Sequence, residues 1–268
     1  MSYLKEKKRI VVKLGTSTLT HKSGRLNIRR VEGLVKNLAD LQNAGHEIII
    51  VSSGAVGLGV AKLGLKEKPK DTPSKQACAA VGQYELMYLY DKLFNEYSLN
   101  VAQMLLTKYI LLEDRKENVK NALEKIIEHG VIPVINENDT VAIDELELEV
   151  GENDSLAATV AALANADLLI VLSDIDGLYD GDPRKEGSGA KLIPVVEEIT
   201  DEIRGLAGGS GTALGTGGMR TKINAAEIAN KNGIDMIIIN GKNPDNLYWL
   251  FETGNMGTTF KASSATKE

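Results

Sequence analysis

Along the chain, short apolar runs rich in β-branched residues alternate with longer stretches in which apolar residues return every three or four positions. The short runs predict strands at Ile10–Leu14, Ile48–Val51, Val101–Leu106, Val131–Ile135, Leu168–Leu172 and Met236–Ile239. The longer period predicts helices. One carries Ile28, Val31, Leu34, Val35, Leu38 and Leu41 and stops at Gly45; others cover Lys75–Tyr97, Asn118–Glu128, Ser155–Ala164 and Thr221–Lys231. Strands apolar on both faces belong to parallel sheets buried between helical layers, so the fold class is α/β, a mostly parallel central sheet with helices on both faces. Leu146, Leu148 and Val150 alternate with glutamates, which predicts an inserted β-hairpin. Without a linker, repeat or low-complexity tract, residues 1–262 read as a single domain and 263–268 as a short tail.

Composition narrows the classes. At 268 residues and 43% hydrophobic content the chain can bury a large core without crosslinks. Its one cysteine, Cys78, sits among alanines, where packing is the expected role and a reduced compartment the expected setting. Acidic side chains number 37 against 31 basic, a net charge of −6, and no Lys/Arg block could track a phosphate backbone, so nucleic acid is not an expected partner. No apolar run approaches the roughly 18 residues that span a bilayer, and Met1 to Arg9 is charged, so the expectation is a cytoplasmic protein with no membrane partner.

In a sheet of this kind ligands bind beyond the carboxyl ends of the strands, and the residues there share a character. Lys13-Leu14-Gly15-Thr16-Ser17 follows the first run, Ser52-Ser53-Gly54-Ala55-Val56-Gly57-Leu58-Gly59 the second, Asn136-Glu137-Asn138-Asp139-Thr140 another and Ser173-Asp174 another. Glycines at strand-to-helix turns let backbone N–H groups approach an anion, so Gly15 and Gly54 are candidate phosphate contacts, although taken alone a glycine there is more often a plain turn. Neither the Walker cradle nor a complete G-x-G-x-x-G is present. Lys13, in a strand covered on both faces, is costly to bury unless it meets an anion; the alternative is a lysine snorkelling from an edge strand. Gly208 to Thr212 and Gly215 to Lys222 form a glycine-rich segment running into a helix, either a flexible connector or a loop that closes over a nucleotide with Lys222 reaching its phosphates. Asn153 and Asp154 stand directly before a predicted helix, either as N-cap residues or with Asp154 pairing both lysines while Asn153 meets substrate.

Seven ordered segments, VVKLGTS (11–17), VSSGAVGLG (51–59), QACAAVGQ (76–83), INENDTVA (135–142), GENDSLAA (151–158), LSDIDGLYDGDPR (172–184) and GTGGMRTKINAA (215–226), together resemble the amino acid kinase superfamily over residues 9 to about 260. INEND followed by G-x-N-D is similar to the branch that phosphorylates the side-chain carboxylate of glutamate at the start of proline biosynthesis. The resemblance implies ATP as co-substrate with Mg²⁺, L-glutamate as acceptor, proline as feedback inhibitor and a homo-oligomer, dimer or tetramer. It implies that Lys13, Asp154 and Lys222 are catalytic, that Ser53, Asp139 and Asn153 hold glutamate in the N-terminal part, and that Lys13, Ser173, Asp174 and Thr216, Gly217, Gly218, Met219, Arg220, Thr221 and Lys222 line the nucleotide site, chiefly in the C-terminal part. No protein metal ligand is implied. Many members carry a C-terminal PUA module; with the sequence ending at Glu268, the expectation is a form lacking it. Ser173 and Glu152 stand where members often have Thr and Asp.

A carboxylate nucleophile with a solution pKa near 4.3 is already ionised at neutral pH, so no general base is needed. The three histidines, His21, His46 and His129, accordingly read as surface or turn residues. Two competing expectations remain: another carboxylate kinase of the superfamily, such as one acting on N-acetylglutamate, and a nucleotide-binding regulator without turnover. Acidic Glu137 and Asp139 suit a free α-ammonium, and keeping Lys13, Asp154 and Lys222 together suits catalysis.

Overall fold

The computed structural model describes residues 3–21, 23–107, 113–141, 152–183, 188–207 and 218–262. The predicted hairpin, the tail, and Thr216 and Gly217 lie outside them. In chain order the elements are β1 (Arg9–Leu14), α1 (Thr16–Leu19), α2 (Ile28–Asn43), β2 (Glu47–Ser52), α3 (Ala55–Lys62), α4 (Thr72–Asn95), β3 (Val101–Leu106), α5 (Glu113–Glu128), β4 (Ile132–Glu137), α6 (Glu152–Leu163), β5 (Leu168–Ser173), β6 (Val195–Val196), α7 (Asp201–Leu206), α8 (Met219–Lys231), β7 (Asp235–Asn240), α9 (Asp245–Thr253) and β8 (Thr258–Phe260).

The sheet has eight strands in the order β3-β4-β2-β1-β5-β7-β8-β6, and every pair is parallel except β7 with β8. From β1 the chain builds outward through β2 and β4, then returns to β5 on the other side. The topology thus reverses around β1, which puts a crevice at its carboxyl end. This central position removes the edge-strand reading of Lys13, whose neighbours are Val51 of β2 and Val171 of β5.

Alternation along each strand divides the core in two. Val11, Ile49, Val51, Ile135, Val171 and Ile238 pack under α5, α6 and α8, while Ile10, Val12, Ile50, Ile170 and Ile239 pack under α2, α4 and α9. Local signals place the helices. The Asn27 side chain accepts from the Arg30 N–H at 3.2 Å to start α2, and Asp71 accepts from the Ser74 N–H at 2.9 Å to start α4. Among the described residues no helix is long and apolar enough to cross a membrane.

Ala55 to Gly59 forms the start of α3, a helix the sequence reading does not assign, because Gly54 alone supplies the turn, with φ of 107°. Helix α6 begins at Glu152, so Asn153 and Asp154 lie within its first turn and neither is its N-cap.

Candidate functional site

Lys13 lies two residues beyond Val11 and so projects to the same face, beneath α6 and α8. Both helices begin close to the carboxyl end of β1 and bring a polar residue from their first turn over it. Asp154 of α6 is fully buried; its Oδ1 lies 2.7 Å from Lys13 Nζ and its Oδ2 lies 3.2 Å from Lys222 Nζ of α8. The Lys13 contact is a close ion pair, and Lys222 donates a hydrogen bond to the other carboxylate oxygen. Thr221 Oγ1 adds a third contact, donating to Asp154 Oδ2 at 3.0 Å.

The electrostatics follow from burial. Desolvation works against the Asp154 charge, but Lys13 and Lys222 outweigh it and hold the carboxyl below its usual range. Lys222 is pushed down, first by burial and then by the like charge of Lys13, with Asp154 and Asp174 opposing. Two buried ammoniums share the Asp154 carboxylate. Such a centre attracts an anion, and a phosphoryl group in transfer is one.

Gly15 follows closely: a Cβ there would stand 3.6 Å from Lys13 Nζ. That is an ordinary van der Waals distance, so Gly15 borders the ammonium directly. Gly54 caps α3 beside it, with Thr16 and Leu19 about 4 Å from where its Cβ would be.

Next to this centre lies a carboxamide and hydroxyl cluster. Asn153 Nδ2 donates to Ser53 Oγ at 2.7 Å and to Asn136 Oδ1 at 3.2 Å. Asn136 Nδ2 donates to Gln83 Oε1 at 2.9 Å. Asp139 is half-buried in the turn after β4. The structure therefore brings Ser53 and Asn153 together, as the sequence implies, and adds Asn136 and Gln83, to which sequence reasoning assigns no role although both fall inside the family-like segments.

On the far side of β1, Ser173 ends β5 and its hydroxyl lies 3.4 Å from Asp174 Oδ1. Lys242 donates to the Asp174 carbonyl at 2.8 Å, and Asn240 Nδ2 donates to Asp176 Oδ1 at 2.7 Å. Sequence reasoning misses Lys242 and Asn240; the signal available is their place directly after an apolar run. Of the glycine-rich segment, Gly218 caps α8, Met219 packs on the core, Arg220 is exposed, and Thr221 and Lys222 reach Asp154. Among the described residues no group of three or more His, Cys, Asp or Glu is placed to hold a metal by itself.

The model of the amino acid kinase family matches residues 8–240. The chain belongs to that family. A glutamate 5-kinase of Clostridium perfringens is 52% identical over 262 residues, covering 97% of each chain. A glutamate 5-kinase of Caldanaerobacter subterraneus is 53% identical over 254 residues, covering 94% of this chain and 67% of its own length. The UMP kinase of Ureaplasma parvum superposes with a TM-score of 0.66 at 16% identity, covering 95% of this chain and 99% of its own. That likeness carries the amino acid kinase fold alone.

Proposed function

We propose that this member of the amino acid kinase family transfers the γ-phosphoryl group of ATP to the side-chain carboxylate of L-glutamate, giving L-glutamyl 5-phosphate and ADP. The observation that carries the chemistry is the buried Lys13–Asp154–Lys222 centre at the reversal point of the sheet. The glutamate 5-kinase relatives support the acceptor.

The barrier to this reaction is the approach of a carboxylate to a triphosphate and the charge that spreads over the transferring group. Lys13, on the central strand, and Lys222, on α8, reach the centre from opposite elements and flank the phosphoryl group. Asp154 keeps both charged and pointed, and touches no reactant. Ser53, Asp139 and Asn153 hold glutamate on the β2 and β4 side. Ser173, Asp174 and the segment 216–222 hold the nucleotide on the β5 side, with Gly15 and Gly54 offering backbone N–H groups between them. Mg²⁺ bound together with ATP would supply charge neutralisation at the phosphate oxygens.

Residues 1–262 act as one domain in this reading. Inhibition by proline, a homo-oligomeric assembly and a cytoplasmic setting rest on the family resemblance; adding proline to the assay and measuring the mass in solution read the first two. The deciding experiment supplies ATP, Mg²⁺ and hydroxylamine with L-glutamate, N-acetylglutamate or L-aspartate in separate reactions. Hydroxamate from glutamate alone is expected. Hydroxamate from another acid instead moves the substrate, and ADP without hydroxamate ends the carboxylate reading.

A further inference from the structure

We propose that Gln83 of α4 is a positioning residue for the acceptor substrate, acting through Asn136 to fix which way the Asn153 carboxamide faces. The inference rests on the glutamate-phosphorylating reading above.

The Asn136 carboxamide is held in one orientation. The backbone N–H of Glu137 donates to Asn136 Oδ1 at 2.9 Å, so the Asn136 amide oxygen must face it. Asn136 Nδ2 then faces the other way and needs an acceptor. Gln83 Oε1 provides it at 2.9 Å, inside a site where Asn136 is 2% and Gln83 8% exposed. With its oxygen so fixed, Asn136 Oδ1 also accepts from Asn153 Nδ2 at 3.2 Å. Asn153 spends its second N–H on Ser53 Oγ at 2.7 Å, with the Ser52 carbonyl oxygen at a long 3.5 Å. Both donors of Asn153 are then used, and its Oδ1, which takes no hydrogen bond from the described residues, is the atom left for a ligand. An acceptor oxygen suits the α-ammonium of a free amino acid.

Gln83 itself behaves as an acceptor only. Its Nε2 is buried and has no hydrogen-bond partner among the described residues. Burying an amide donor unsatisfied is unfavourable, and an apolar side chain of similar size would avoid it. What glutamine supplies that leucine lacks is the oxygen facing Asn136. Without it, Asn136 can rotate, its Nδ2 competes for the place of its Oδ1, and Asn153 keeps only the long contact to the Ser52 carbonyl as a fixed acceptor.

The test compares Gln83→Leu with Gln83→Glu by steady-state kinetics, varying glutamate and ATP separately, with thermal unfolding of each variant. Glutamate keeps an acceptor oxygen in either protonation state. Gln83→Leu is expected to raise KM for glutamate roughly tenfold, the scale of one lost hydrogen bond, with kcat and KM for ATP within about twofold. Gln83→Glu is expected to restore most of the loss. Equal KM for glutamate in Gln83→Leu and the unaltered enzyme would overturn the proposal, as would a Glu variant as impaired as Leu, or a parallel rise in both KM values. The unaltered enzyme separates the two inferences: if it forms no glutamyl hydroxamate the proposed function fails, whereas activity there with indifferent variants removes only the role of Gln83.

Discussion

Lys13 Nζ stands 2.7 Å from Asp154 Oδ1, joining the middle strand of the sheet to the first turn of a helix that begins 139 residues later in the chain. The partner carboxylate is fully buried and also carries Lys222. Removing the carboxylate leaves two buried ammoniums facing each other, an arrangement far costlier than losing a surface pair. Asp154→Ala is expected to destabilise the protein by about 3–5 kcal/mol, which for a chain of this size lowers Tm by roughly 6–20 °C. Unfolding followed by circular dichroism checks this; an unchanged Tm would mean that the lysines are solvated and the centre is open.

Turnover should depend on each lysine separately, because each presents charge from a different element. Lys13→Ala and Lys222→Ala are each expected to lower kcat by roughly 10²-fold or more, the scale for losing one preorganised charge-stabilising group. Both also relieve the like-charge contact in the pair, so their Tm should fall less than that of Asp154→Ala. Near-normal hydroxamate formation in both variants would remove the centre from catalysis.

Burial and Lys13 push the Lys222 pKa down, and that gives the pH profile a sign. Lys222 loses its proton below the ordinary lysine value of 10.5, so kcat should fall on the alkaline side before free lysines titrate. Stability moves the other way. Between the folded and ordinary values the unfolded chain holds the extra proton, so this group raises stability as pH rises. Asp154, with its pKa lowered, contributes stability above 3.8 that is lost as pH falls through its folded value. An alkaline loss of activity without loss of structure is therefore expected. Lys222→Arg, which stays charged, should give a lower but flatter alkaline limb; an unaltered limb would assign the titration to another group.

The strands are legible because parallel strands covered on both faces are written as uninterrupted apolar runs, and Ile10, Ile48 and Leu168 announce themselves that way. Lys13 is legible as a candidate because charge inside such a run is unusual, Lys222 because it ends a glycine-rich segment, and Asp154 because it stands at a helix start, but their meeting needs the reversal of topology at β1, which no local pattern encodes. α3 is hidden because Gly57 and Gly59 read as turn residues. Gln83 and Asn136 are hidden because a single amide in an apolar stretch looks like any surface polar residue until its partner is known. Helix α9 and strand β8 are too short for their periodicity to stand out from the surrounding turns.

Substrate contacts should separate from nucleotide contacts. Asn153→Ala and Asp139→Ala are expected to raise KM for glutamate more than KM for ATP, since both lie on the β4 side of the centre, away from Ser173 and Asp174. Kinetics with each substrate varied in turn decide it, and the opposite pattern would mean that the two pockets are exchanged.

Two glycines within helices test the packing beneath the site. A Cβ on Gly59 of α3 would stand 1.8 Å from the Cys78 carbonyl oxygen of α4, and one on Gly82 of α4 would stand 1.8 Å from the Ala55 carbonyl oxygen of α3. Both obstacles are backbone, so no rotamer change relieves them; the helices themselves must separate. Gly59→Ala and Gly82→Ala are therefore expected to cost about 3 kcal/mol or more, at the upper end of overpacking. Gly205 of α7 is the control, with nothing within 4 Å of where its Cβ would stand and no positive φ. There alanine should be neutral or stabilising by about 0.5–1 kcal/mol through helix propensity. Because Gln83 follows Gly82 and Ser53 lies just before α3, forcing the helices apart should also raise KM for glutamate in any fraction that folds. Tm values for Gly59→Ala and Gly205→Ala that coincide would show that α3 and α4 do not cross in solution as closely as their backbones do here.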